Sequence, residues 1–176
     1  MKKQISHFVR NDSRIFLSSD TGNPTAMYEV RPFVPADAPA VQRIYARCIS
    51  TADWLPERAR KVVDFARVSV GERVHVAIAP NGEAAGFVSV QPSRSFVHHL
   101  FVHPDAHGKG VGMQLLLALE PVAWRLKCVR ANERAIEFYI KFGWREIESG
   151  ESEHGPYALL EWQRHGELLR RGNSKL

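Results

Sequence analysis

Long apolar runs are missing from this 176-residue chain. None approaches the ~18 residues a membrane span requires. Lys2 and Lys3 are not followed by the apolar stretch of a secretory leader. No membrane partner is expected, and the cytoplasm is the expected location. Cysteine is scarce: only Cys48 and Cys128, without metal-ligand spacing. Cys48 sits in a helical pattern and Cys128 in a strand-like run, so buried free thiols are expected rather than a disulfide. Charge excess is also missing where a nucleic-acid binder would carry it. The net charge of +5 comes from the ends, +2 within residues 1–26 and +3 within residues 163–176. Residues 27–162 hold 16 basic and 16 acidic groups. A domain built to grip a phosphate backbone shows the opposite layout, so nucleic acid is disfavoured as a partner.

With 44% apolar and 24% charged residues the composition is globular, and the length fits one domain. Residues 1–26 show no sustained period of 2 or 3.6 and read as a loose extension or a short appended element. Met27 stands directly before the first strand-like run, Tyr28 to Phe33, and is an alternative natural start. Residues 27–162 are the expected folded domain, and residues 163–176 a basic tail.

Within that domain a helix is expected from Pro35-Ala36-Asp37, with Asp37 as cap and Val41, Ile44, Tyr45 and Cys48 on one stripe. A second helix is expected from Pro56 and Glu57, with Val62, Val63, Phe65 and Ala66 inward. Residues 74–79 and 85–91 flank Asn81-Gly82, a strong hairpin signal. Ser95 to Val102 is apolar enough for a central strand. A glycine loop and an apolar helix (113–119) follow, then a strand (122–129), a helix capped by Asn132, and a closing hairpin from 144–149 and 157–162. The fold class is α/β (α+β), a mixed, mostly antiparallel sheet with about four helices.

Gly108, Gly110 and Gly112 let backbone approach a ligand closely, and the next helix aims unpaired N–H groups at the loop. That suits a phosphate or pyrophosphate. Lys109 is followed by Gly110, so a P-loop is absent. The third place of a dinucleotide fingerprint is Met113, and the preceding meander disagrees with a doubly wound sheet.

His107-Gly108-Lys109-Gly110-Val111-Gly112 resembles the [Q/R]-x-x-G-x-[G/A] signature of the GNAT superfamily of N-acetyltransferases, departing at His107. Leu100 to Pro104 resembles the strand and proline that lead into this loop. Asn132-x-x-Ala135-x-x-Phe138-Tyr139-x-x-Phe142-Gly143-Trp144 is similar to a second family segment, and Val30-Arg31-Pro32 with Asp37 to the family's start. The resemblance covers about residues 28–162. It implies acetyl-coenzyme A as co-substrate and transfer of its acetyl group to an amine, by direct attack in a ternary complex.

The same resemblance implies that the backbone of Leu100, Phe101 and Val102 pairs with the pantetheine arm. It also implies that residues His107, Gly108, Lys109, Gly110, Val111 and Gly112 hold the pyrophosphate, that Asn132 lies near the pantetheine, and that Tyr139 protonates the leaving thiolate. Tyr139 also reads as plain core between Phe138 and Ile140. Phe96 stands where some members carry a glutamate base. His98 is the candidate base, on the strand face of Phe96 and Leu100 with His99 opposite. Both histidines also read as ordinary strand residues, and proton loss through ordered water is equally compatible. Trp54 is a candidate wall of the acceptor pocket or simple packing.

The run His98, His99, His103 and His107 reads as strand and turn, so no metal is expected. The acceptor stays open among polyamines, amino acids, antibiotics and protein amines, and a homodimer stays open too. A non-catalytic acyl-coenzyme A sensor or structural module is the alternative.

Overall fold

The structure is a computed structural model that describes residues 7–9, 28–61 and 64–163. Among the described residues eight strands and four helices follow one another: β1 (His7–Val9), β2 (Glu29–Pro32), α1 (Ala38–Ser50), α2 (Phe65–Val68), β3 (Arg73–Ile78), β4 (Ala84–Gln91), β5 (Phe96–Val102), α3 (Val111–Leu117), β6 (Trp124–Val129), α4 (Glu133–Lys141), β7 (Arg145–Ser152) and β8 (Gly155–Trp162). Seven strands run in the order β2-β3-β4-β5-β6-β8-β7. Neighbours are antiparallel except β5 and β6, which are parallel. The expected mixed, mostly antiparallel sheet with four helices is the fold observed.

Alternation along the central strands divides the core in two. On one face Val41, Ile44, Tyr45 and Cys48 of α1 and Phe65 of α2 pack on Val76, Phe87 and Phe101. On the other, Val111, Leu115 and Leu116 of α3 and Ala135, Phe138 and Tyr139 of α4 pack on Val88, Val90, Leu100, Val102 and Leu126. The Asn81-Gly82 turn forms as expected: Gly82 has φ 83° and Ala79 N–H donates to the Glu83 carbonyl at 2.8 Å. Cys48 and Cys128 are free and buried, and burial pushes both thiols up to about 12.

Two local expectations are corrected. The second helix is not continuous: a 3₁₀ turn spans Glu57–Ala59, and the α-helix begins only at Phe65. Arg60 folds back onto the carbonyls of Leu55 and Asp53, each at 2.9 Å. Asp64 then starts a new helix by accepting the Ala66 N–H at 3.0 Å. Val62 and Val63, expected to face inward, lie outside the described residues. Asp37 does not cap α1 with its side chain. Its carboxylate takes both guanidinium nitrogens of Arg31, at 2.8 and 2.9 Å, and the Val34 N–H at 2.9 Å. That bidentate pair, with the Val34 N–H, holds the carboxyl below its ordinary range against the cost of burial.

Within the 1–26 stretch the structure describes only His7–Val9, as a strand parallel to β5. The 163–176 tail lies outside the described residues apart from Gln163.

The close approach of β4 and β5 positions everything downstream. A Cβ added at Gly86 would meet the Phe101 carbonyl oxygen at 2.7 Å and the Val102 Cα at 3.2 Å, both rigid backbone atoms. Gly86→Ala therefore costs about 1–3 kcal/mol of stability through strand displacement. A lowered urea midpoint is expected, and an unchanged midpoint would show that the two strands can part without cost.

Candidate functional site

Strands β5 and β6 share a single register pair, Phe96 with Arg125, next to a hydrogen bond from Arg125 N–H to the Ser95 carbonyl at 2.9 Å. Beyond Phe96 they are no longer paired, while β5 stays paired with β4 as far as Val102. A splay thus opens on the β6 side of β5. The peptide groups of Phe101 face β4, as the Gly86 approach shows, and the His103 N–H does too, donating to Ala85 at 2.8 Å. Successive residues of a strand direct their N–H and C=O to opposite edges. Those of Leu100 and Val102 therefore face the splay, and those of Phe101 do not. The Val102 carbonyl is already engaged, by His107 Nε2 at 2.8 Å and by the Cys48 thiol at 3.6 Å.

His107 thus ties the start of the glycine loop to the end of β5. The carbonyl fixes the tautomer as Nε2–H. Gly108 and Gly110 take φ of 74° and 78°, a left-handed conformation that disfavours side chains, so both positions need glycine. Lys109 is exposed, and Val111 and Gly112 open α3 and are buried. Loop and splay lie at the same end of β5. Asn132 is buried and its side chain caps α4, accepting the Ala135 N–H at 3.2 Å. Tyr139 is fully buried, its ring on Phe138 and Trp144. Burial, and secondarily Cys128, pushes its hydroxyl well above the usual tyrosine range, so it keeps its proton. Trp54 is partly buried against the α1 face of the core.

The sequence reading of His98 needs correction. Ser89 pairs with His99 and Val90 with Val97, so His98 is the extra residue of a β-bulge. The bulge cancels the alternation that put His98 and His99 on opposite faces. Both Nδ1 atoms turn to one carboxylate, that of Glu72, which stands just before β3. His98 Nδ1 bonds Glu72 Oε1, and His99 Nδ1 lies 3.4 Å from Oε2. The Ser89 hydroxyl donates to Oε2 at 2.5 Å and is 2.7 Å from His99 Nδ1. The His99 ring packs among Tyr45, Phe65 and Phe101.

Glu72 is the residue that sequence reasoning missed. Its neighbours Gly71 and Arg73 give no motif, and only the bulge reveals its partners. Its side chain is 3% exposed. Burial alone would raise its pKa; hydrogen bonds from His98, His99 and Ser89 outweigh that and hold it at about 2. An ionised carboxylate only accepts, so His98 presents Nδ1–H to it and Nε2 is the ring's basic nitrogen. Among the described residues no group of three or more His, Cys, Asp or Glu side chains is arranged to hold a metal ion. Among them, too, no helix is long and apolar enough to cross a membrane.

Residues 70–146 match the family model described as Acetyltransferase (GNAT) domain. Over this stretch the chain is similar to the GNAT domain. The match runs from the residues before Glu72 through the splay, the glycine loop and α4. No curated protein matches the chain. Among solved structures, it is similar to a GCN5-related N-acetyltransferase from Rhodopseudomonas palustris, at 22% identity and TM-score 0.66, covering 81% of this chain and 99% of that one. It is similar to an acetyltransferase structure from Salmonella typhimurium that contains acetyl-CoA, at 20% identity and TM-score 0.59, covering 78% and 94%. A ribosomal-protein-alanine N-acetyltransferase from Brucella melitensis matches at 19% identity and TM-score 0.59, covering 77% and 99%. At these identities the likeness is one of fold, and it identifies the GNAT sheet as the frame of the site.

Glu72 gives the domain an acid-sensitive element. Its folded pKa lies below the unfolded value, so the stability it contributes is full above about pH 4.5 and is lost as pH falls towards about 2. Glu72→Gln should remove that part of the acid limb and lower stability near neutral pH by roughly 2 kcal/mol. Urea unfolding of both proteins between pH 7 and pH 3 checks this; parallel acid limbs would mean that Glu72 is not the group responsible.

Proposed function

We propose that the chain transfers the acetyl group of acetyl-coenzyme A to a primary amine, by direct attack in a ternary complex. The observation that carries this reading is the splay. A strand edge with the N–H and C=O of Leu100 turned into a gap is suited to an extended amide-bearing arm. The residues fit the group: His7–Val9 already lies along β5 there, so the gap accommodates an extended backbone. At the end of β5, Gly108 and Gly110 leave the loop without side chains where a pyrophosphate would rest. Val111 and Gly112 belong to the same cradle, Lys109 adds a cation at its rim, and Asn132 holds α4 beside it.

Acetyl-coenzyme A supplies an activated thioester carbonyl. An N–H of the β5 edge, that of Leu100, donates to the oxygen on which negative charge develops. His98 Nε2 takes a proton from the acceptor ammonium, while Glu72 holds Nδ1–H and balances the resulting charge. The amine nitrogen then bonds the acetyl carbon and the carbon–sulfur bond breaks. The Tyr139 hydroxyl, kept protonated by burial, gives its proton to the leaving sulfur, and the second proton that the attacking nitrogen sheds as it becomes an amide restores the hydroxyl. Trp54 forms one wall for the acceptor, on the side of the sheet that carries α1, α2 and the histidine pair. Neither cysteine takes part, since both thiols are buried and held protonated.

Thiol release from acetyl-coenzyme A, followed across a panel of polyamines, amino acids, aminoglycosides and peptides, tests the reaction. Release with at least one amine is expected; tight coenzyme A binding with no release from any would favour a non-catalytic sensor instead. Tyr139→Phe should bind coenzyme A within about twofold of the parent and turn over about a hundredfold more slowly. Unchanged turnover would remove the acid from Tyr139.

A further inference from the structure

We infer that the edge of β5 facing the splay is a docking site for the chain's own N-terminal strand, and that β1 and the pantetheine arm compete for it. The inference rests on the coenzyme A reading above for the second occupant. The first occupant is seen directly. His7, Phe8 and Val9 run parallel to β5, in register with His99, Leu100 and Phe101.

This strand is not on the sheet's main path. It pairs with β5 alone, on the side where β6 has already departed. The other edge of β5 is taken by β4 over the same residues: Leu100 pairs with Val88 and Phe101 with Phe87. So β1 fills the opening between β5 and β6.

The register says which atoms are contested. In a parallel ladder a residue whose N–H and C=O face the neighbouring strand bonds the two residues that flank its partner there. Leu100 faces the splay, so its N–H meets the His7 carbonyl and its C=O meets the Val9 N–H. These are the groups that the proposed reaction assigns to the arm and the thioester oxygen. Both occupants cannot hold them at once. A chain with β1 docked is closed to coenzyme A, and the apparent affinity falls by the fraction of chains that remain open. Two neutral backbone hydrogen bonds are enough for a factor of about ten.

The competition is tested on the full-length chain. Val9→Pro deletes the one N–H that β1 offers to Leu100, and Val9→Ala keeps it. Calorimetric titration with coenzyme A gives affinity, and hydrogen exchange at the Leu100 amide reports whether the edge is covered. Val9→Pro should bind coenzyme A about tenfold more tightly than the parent and exchange the Leu100 amide faster when no ligand is present. Added coenzyme A should restore protection. Val9→Ala should match the parent on both readouts. Equal affinities across the three chains, with the Leu100 amide freed in Val9→Pro, would overturn the competition while leaving coenzyme A binding intact. A Leu100 amide as protected in Val9→Pro as in the parent would overturn the docking itself. Absence of coenzyme A binding in all three chains would overturn the acetyl-transfer reading and the competition with it, and faster exchange in Val9→Pro would then still support the docked strand.

Discussion

The structure depends on where β5 stops pairing with β6. At Phe96 and Arg125 the two strands are joined. A few residues later β5 has an edge with polar backbone groups and no strand of the main path to satisfy them. Buried peptide groups need partners. An edge of this kind is therefore a demand for a ligand as much as a gap in the sheet. Everything nearby positions it. Gly86 lets β4 hold β5 from behind, His107 pins the loop to the Val102 carbonyl, and α1 and α3 clamp the strand from opposite faces. Two different extended chains are proposed to answer the demand, one covalently part of the protein and one belonging to a co-substrate.

The bulge at His98 is the second constraint. A single extra residue in β5 brings two histidines to one carboxylate, which regular pleating would forbid. The resulting cluster of Glu72, Ser89, His98 and His99 is buried, yet each member has a hydrogen-bond partner within it. An ionised glutamate is stable there only because three donors converge on it. The cluster lies on the sheet face covered by α1 and α2, one residue away from Leu100. The strand that presents its backbone to the splay thus also carries the imidazoles, and in the proposed reaction one element supplies both the donor contacts and the base.

Much of this was legible in the sequence. The order of strands and helices, the Asn81-Gly82 hairpin and the glycine loop follow from local patterns: period 2, period 3.6 and residues that tolerate positive φ. The glycine loop with Asn132 and Tyr139 was enough to suggest the family. What was not legible depends on contacts between segments distant in sequence. A bulge is invisible in His98-His99, because alternation is the only rule that a lone strand obeys. Glu72 acquires its meaning from residues 17 to 27 positions away. The break before Phe65 comes from Arg60 and Asp64 satisfying local carbonyls and N–H groups, a competition that an apolar stripe does not register. His7–Val9 is too short for any period. Its strand character comes from the edge it pairs with rather than from its own residues.

One stretch of β5 backbone is proposed to serve both the chain's own strand and the acyl donor. A crystal structure of the full-length chain grown with acetyl-coenzyme A tests it most directly. The expected result is the pantetheine arm along β5 beside Leu100, the pyrophosphate within the loop from His107 to Gly112, and His7–Val9 displaced from its register with His99 to Phe101. Acetyl-coenzyme A bound elsewhere, or bound with His7–Val9 still paired to β5, would contradict it.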